Sequence, residues 1–291
     1  MKSTEVKAFA KINLSLDVLG KRADGYHEML MVMQAVDLYD DISITLLDGA
    51  NDITAETDCA FIPRNMDNLA CRAAKAFFSA AGIKDMGAEI SIKKRIPVCA
   101  GLAGGSSDAA AVIRGLNGLL NTGYDCAALE DISRSVGSDV AFCVSGGTML
   151  AYERGDRLKR LPDTPDCCIL VCKPSFSVST PVLFSKIDSK LLKYHPDTDG
   201  LITAIEKQNV TEAARRCYNV FEEVLPERER RTVESIKDTM LTHGALGACM
   251  TGTGSAVYGI FAENEPALSA KAELCAGKLK CFITKPIKKV L

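Results

Sequence analysis

The sequence has no surplus of positive charge: 35 Lys and Arg stand against 37 Asp and Glu, for a formal net charge of −2. A protein that grips nucleic acid through many phosphates carries a basic excess, so nucleic acid is not an expected partner. Nor is there a long apolar run. The longest stretch free of Asp, Glu, Lys and Arg, 239–262, is interrupted by five glycines, His243 and several threonines, and it reads as loop and strand, not as a membrane span. The residues around Lys2 and Lys7 lead into no apolar run of signal-peptide length, which points to a cytoplasmic protein. Twelve cysteines are scattered with no C-x-x-C pair and no His or Cys partners at zinc spacing, which argues against a disulfide framework and a structural metal site. They read as reduced, mostly buried thiols. Internal repeats and low-complexity tracts are also absent.

What is present is the composition of a folded globular chain, with 291 residues, 47% hydrophobic and 25% charged. At this length one core tends to divide into two. Val6, Ala8, Ala10, Ile12, Leu14, Leu16 and Val18 alternate with mostly polar neighbours, the period of a half-buried strand. A turn at Asp24-Gly25 precedes two expected strands, 29–36 and 42–47, and a weaker one at 53–57. Asp67 or Asn68 caps an expected helix that stops at Gly82, followed by a strand at 88–96, a loop over 97–105 and helices at 106–120 and 125–136. Gly137, Ser138 and Asp139 read as a turn before a strand at 148–152. The proline pair Pro162 and Pro165 is the strongest boundary signal, dividing the chain into 1–160 and 161–291. Beyond it a strand at 167–172, helices around 180–192, 201–214 and 227–241, a strand at 257–261, a helix at 266–276 and a strand at 280–287 complete two mixed units of an α+β protein.

The most informative segment is Pro97, Val98, Cys99, Ala100, Gly101, Leu102, Ala103, Gly104, Gly105, Ser106 and Ser107, a glycine-rich loop opening directly into a helix. Small residues free backbone amides, and the first-turn N–H groups add the positive end of the helix dipole, so the segment suits an anionic phosphate. It is neither a Walker A loop nor a dinucleotide fingerprint, since Gly-Lys-Ser/Thr and Gly-x-Gly-x-x-Gly are both missing. A plain helix cap with a flexible lead-in accounts for the serines but not for the three glycines before them.

This segment resembles the glycine-rich motif of the GHMP small-molecule kinases, the family of galactokinase, homoserine kinase, mevalonate kinase and phosphomevalonate kinase. Ala8-Phe9-Ala10-Lys11-Ile12-Asn13-Leu14 is similar to the family's first motif, and Thr251-Gly252-Thr253-Gly254-Ser255-Ala256-Val257-Tyr258 to its third. Gly20-Lys21-Arg22-Ala23-Asp24-Gly25-Tyr26-His27 and Val136-Gly137-Ser138-Asp139-Val140 narrow the resemblance to members that act on 4-(cytidine 5'-diphospho)-2-C-methyl-D-erythritol. The resemblance implies transfer of the ATP γ-phosphate to that acceptor's 2-hydroxyl, with Mg²⁺, in isoprenoid precursor synthesis. It also implies a ribosomal-protein-S5-like N-terminal domain and a ferredoxin-like C-terminal domain with the site between them.

Residue roles follow the same resemblance. Lys11 and Asp139 match the catalytic pair, Asp139 as base and Lys11 as its electrostatic partner. Taken alone, Asp139 reads as a helix-end or turn aspartate and Lys11 as an exposed strand lysine. Tyr26 matches a residue that stacks on cytosine, His27 one that hydrogen-bonds it, and Phe184, after Thr180-Pro181, one that closes the other face. Alone, His27 reads as a turn histidine. Asn13 and Asn68 match substrate-contacting positions, although Asn68 also serves as a helix cap. The resemblance names no protein ligand for Mg²⁺; Ser106, Ser107 and Asp108 are candidates by position. Two departures from the resemblance stand out: Ala141 occupies a position where many relatives carry Pro, and Ser255-Ala256 stands where many carry Pro-Thr. A simpler acceptor, such as homoserine or a mevalonate derivative, and a catalytically silent binding protein remain alternative readings.

Overall fold

The alternating segment at the start of the chain forms β1 (Ser3–Lys21), which turns at Asp24-Gly25 and returns antiparallel as β2 (His27–Asp48). This computed structural model describes residues 2–60 and 62–290. The two strands expected in this region are one, because pairing with β1 continues through 37–41 by a register shift between Phe9 and Lys11. Asp40 does not break the strand: its buried carboxylate accepts the backbone N–H of Ile96 at 2.8 Å and pairs with Lys94.

Next come β3 (Ile53–Thr57), α1 (Leu69–Ala80), β4 (Met86–Lys93), α2 (Gly104–Leu120), α3 (Cys126–Arg134), α4 (Ser138–Ser145), β5 (Thr148–Glu153) and β6 (Arg157–Arg160). Asn68 is the cap of α1, its side chain accepting from Ala70 N. α2 begins two residues earlier than the pattern suggests. The expected turn at 137–139 is instead the entrance to α4. That helix is eight residues long and Val140, Ala141, Phe142, Cys143, Val144 and Ser145 are all buried, so it has no amphipathic period to betray it. β2 is long enough to pair with β5 over its first half and β4 over its second, giving a seven-stranded sheet.

The segment containing Pro162 and Pro165 runs from β6 to β7 (Cys168–Lys173), the first strand of a second sheet. There follow α5 (Thr180–Ser189), α6 (Thr198–Glu206), α7 (Val210–Arg215), β8 (Tyr218–Asn219), a 3-10 turn (Val220–Val224), α8 (Glu227–Thr242), β9 (Gly247–Met250), β10 (Val257–Phe261), α9 (Asn264–Ala276) and β11 (Lys280–Thr284). The single helix expected over 201–214 is two, since Gln208 takes φ 52° and the Asn209 side chain starts a new helix by accepting from Glu212 N. The second sheet is antiparallel in the order β11-β7-β10-β9. β8 crosses back to pair in parallel with Ser15 and Leu16 of β1, so the two halves interlock.

β1 departs most from its expected form. Ala10, Ile12 and Leu14 pack with Ile169, Val171 and Tyr258 of the second sheet, each fully buried aliphatic side chain contributing roughly 1.5–3 kcal/mol. The intervening Lys11, Asn13, Ser15 and Asp17 are buried as well, none more than 3% exposed. The strand is therefore covered on both faces, not half-buried. A buried ammonium without partners would cost more than its apolar neighbours contribute, so Lys11 has to be satisfied where it stands.

Candidate active site

The glycine-rich loop takes its shape from three residues in left-handed conformation at alternate positions, Cys99 (φ 52°), Gly101 (φ 76°) and Ala103 (φ 58°). Such alternation turns successive amides toward one side, the backbone arrangement that suits an anion. Ala103 precedes α2 and no side chain caps that helix, so its first-turn amides are open for a ligand. The loop is clamped on both sides. Lys11 N donates to Leu102 O at 3.1 Å, Ala256 N to Ala100 O at 3.0 Å and Thr251 Oγ1 to Gly101 O at 3.2 Å. Ser107 Oγ is committed to Phe9 O at 2.5 Å.

Lys11 and Asp139 come from elements distant in sequence and meet across the mouth of α4. Lys11 Nζ donates to Asn13 Oδ1 at 2.5 Å and stands 3.8 Å from Asp139 Oδ2. The lysine side chain is 4% exposed and the aspartate side chain 33% exposed. Asp139 lies in the first turn of α4, where the helix dipole favours a carboxylate. Asn13 Oδ1 also accepts the Gly252 N–H at 3.0 Å, tying β1 to the 251–256 turn. Arg114 fixes the helices around the pair, donating to Cys143 O of α4 and Lys7 O of β1, both at 2.7 Å. Burial lowers the Arg114 pKa to about 10 and raises that of the Cys143 thiol to about 12, which marks this junction as dry and the thiol as unreactive.

Lys11 and Asp139 open into a cavity of about 720 Å³ shared with Tyr26, His27, Cys99, Gly101, Ala103, Ser106, Thr180, Phe184, Gly252 and Gly254. At its far end the His27 ring stacks on Phe184 with centroids 4.5 Å apart, and Phe184 meets Phe221 edge-on at 5.0 Å. Tyr26 is 55% exposed, with the Arg154 guanidinium 4.8 Å from its ring centroid. Thr180 is within 2.8 Å of Thr253, hydroxyl to hydroxyl, and joins α5 to the 251–256 turn. Asn13 lies behind Lys11, not in the cavity wall. Asn68 is set apart as well: it lines a second cavity of about 340 Å³ on the other flank of the loop, with Lys94, Asp108, Pro97, Val98 and Gly104. The two cavities share Cys99, Gly101, Ala103 and Ser106, which makes the loop the ridge between them.

Sequence reasoning missed Arg154, Val178 and Phe221 in the cavity wall, and nothing local marks them. It also missed the buried cluster of Lys94 with Asp40 and Asp108 beneath the loop. Burial pushes the Asp108 pKa up to about 7 against the opposing pull of Lys94, and burial works to lower Lys94, where the attraction of both carboxylates prevails and raises it. His195 and His243 stand outside the large cavity, bonded to Asp17 and to Thr239 O.

Residues 68–147 match the GHMP kinases N terminal domain and residues 201–278 the GHMP kinases C terminal domain. A 4-diphosphocytidyl-2-C-methyl-D-erythritol kinase of Acetivibrio thermocellus is 42% identical over 99% of this chain and 100% of its own, and one of Caldicellulosiruptor saccharolyticus is 44% identical over 96% and 93%. The chain belongs to the 4-diphosphocytidyl-2-C-methyl-D-erythritol kinase family of GHMP kinases. Its mixed helix and sheet organisation is the GHMP kinase fold, and membership makes it an ATP-dependent small-molecule kinase. The crystal structure of a 4-(cytidine 5'-diphospho)-2C-methyl-D-erythritol kinase superimposes with a TM-score of 0.79 at 29% identity, covering 97% of this chain and 99% of the other. A homoserine kinase from Cytophaga hutchinsonii, at 19% identity and a TM-score of 0.77 over 99% and 96%, shares the GHMP fold. Among the described residues no helix is long and apolar enough to cross a membrane.

Proposed function

We propose that this chain transfers the γ-phosphate of ATP to the 2-hydroxyl of 4-(cytidine 5'-diphospho)-2-C-methyl-D-erythritol. One observation carries the reading: a single cavity holds the phosphate-binding loop, the Lys11–Asp139 pair and the aromatic end formed by Tyr26, His27 and Phe184. These are what the two substrates require, a polyphosphate at one end, a nucleobase at the other and the reacting hydroxyl between.

In this reading the acceptor hydroxyl lies between Lys11 and Asp139. Its oxygen bonds to the γ-phosphorus as the bond to the β-phosphate oxygen breaks, ADP leaves, and the hydroxyl proton passes to Asp139. Lys11 stabilises the developing negative charge, and the uncapped amides of α2 hold the phosphates. The smaller cavity suits the nucleoside of ATP, with Asn68 on that side. Tyr26 supplies a stacking face for cytosine, and His27 and Phe184 border the same end. A magnesium ion would supply neutralisation of the phosphate charge and would need only one or two protein oxygens. Ser106, which lines the large cavity, would fit that need, whereas Ser107 is committed to Phe9 O, Asp108 to Lys94 and Asp139 to the hydroxyl proton. The near-zero net charge favours a small-molecule acceptor over nucleic acid, and we assign the enzyme to the cytoplasm. We place the division between the two domains at 160/161.

The test is ATP consumption with the cytidylyl acceptor, homoserine and mevalonate in parallel. Turnover with the first alone is expected. Equal use of an acceptor lacking cytosine would overturn the assignment.

A further inference from the structure

Asp188 sits in α5 four residues beyond Phe184, so the two share a helix face and meet the same imidazole. Phe184 stacks on the His27 ring, and Asp188 Oδ1 lies 2.6 Å from His27 Nε2. The other carboxylate oxygen accepts from Lys21 Nζ at 2.8 Å. Lys21 and then His27 lower the Asp188 pKa, which keeps the carboxylate ionised. An ionised carboxylate only accepts hydrogen bonds, so the proton of the short contact belongs to Nε2. Nδ1 has no protein partner among the described residues, and the His27 ring lines the large cavity.

We propose that Asp188 is a positioning residue that fixes His27 as the Nε2–H tautomer, so that the Nδ1 lone pair selects an acceptor base bearing an exocyclic amino group, cytosine, over one bearing a carbonyl, uracil. The inference rests on the functional reading above, in which His27 borders the end of the cavity that takes the cytosine. A lone pair accepts from the amino group of cytosine and repels the corresponding oxygen of uracil, so discrimination comes from a bond gained on one side and a repulsion on the other. The packing of Phe184 holds the ring plane and Asp188 sets its protonation, which assigns both jobs to one face of α5.

Nitrogen-15 NMR of the full-length protein reads the tautomer directly. The wild-type His27 is expected as Nε2–H, Asp188→Ala as a mixture, and Asp188→Asn, whose amide oxygen accepts the same bond, close to wild type. An Nδ1–H or doubly protonated ring in the wild type at neutral pH would overturn the inference without any kinetic measurement. In turnover, Asp188→Ala should lose at least about 10-fold of the preference for the cytidylyl over the uridylyl acceptor, through a higher KM for the former, with Asp188→Asn restoring most of it. A merely structural role for Asp188 would depress both acceptors alike and disturb the KM for ATP, and that result also overturns the inference. Wild-type protein that phosphorylates both acceptors equally well leaves the kinase assignment standing and removes the selection device. Wild-type protein that phosphorylates neither removes the functional reading and this inference with it.

Discussion

Lys11 Nζ lies 3.8 Å from Asp139 Oδ2, while its short hydrogen bond goes to Asn13. That separation is beyond hydrogen-bond range, so the aspartate is not consumed by the lysine and keeps its acceptor capacity for a ligand. A hydroxyl entering from the cavity can donate to Asp139 and still lie within the field of Lys11. Because Asn13 orients Lys11, the Lys11–Asp139 pair can lose its carboxylate without losing the position of its cation.

Asp139→Asn is therefore expected to fold normally and to lose at least about 10²-fold in kcat, the scale of a removed general base. Steady-state ATP turnover and a denaturant midpoint measured together check both halves. An unchanged rate would remove Asp139 from the proton-transfer role.

Asn13→Ala should damage stability as well as rate. It strips Lys11 of its nearest acceptor and leaves the Gly252 N–H buried without a partner, at an expected loss of about 1–3 kcal/mol. Urea unfolding measures the loss. A variant with wild-type stability would show that these bonds do not hold the 251–256 turn to β1.

Gly101→Ala tests the clamp on the phosphate loop. A Cβ at this position would sit 2.1 Å from the Thr251 carbonyl oxygen, at a φ of +76° that side chains rarely adopt, and the backbone on both sides must move. The expected result is a rise of at least about 10-fold in the KM for ATP, with a destabilisation of about 1–3 kcal/mol. Unaltered ATP kinetics would mean that the loop tolerates displacement from the second sheet.

Asp108 should make stability depend on pH. Burial raises its folded pKa to about 7, above the ordinary value of 3.8, so between those values the folded chain binds the proton more tightly than the unfolded one. The stabilising contribution is then full below about pH 4 and is lost as pH rises toward 7. Asp108→Asn removes this dependence, so wild-type stability relative to the variant should fall between pH 5 and pH 8, read from unfolding midpoints at the two values. A difference that stays flat over that interval would show that Lys94 holds Asp108 ionised.

The alternation of β1, the glycine-rich loop and the helix after it, and the local motifs carrying Lys11, Tyr26, His27 and Asp139 are legible in the order of residues alone. Each of these is a short-range pattern, written in residue types a few positions apart. Tertiary structure decided what covers each pattern. The period of β1 separates Lys11 and Asn13 from Ile12 and Leu14, but only the loop and the 251–256 turn folding over the polar face convert a solvent-facing row into a buried one. The same holds for α4, whose wholly apolar interior run has no helical period to read, so that Asp139 gains its place at a helix N-terminus only when the helix packs. Asn68, similar by motif to a substrate-contacting position, is also legible as a cap, and the fold puts it across the loop from Lys11 and Asp139. Asp188 and Arg154 had no local signal, because their partners His27 and Tyr26 lie in a distant hairpin and are brought to them only by the packing of α5 and of the turn after β5. Periodicity records which side chains share a side; the identity of the surface that closes over that side is a property of the folded chain.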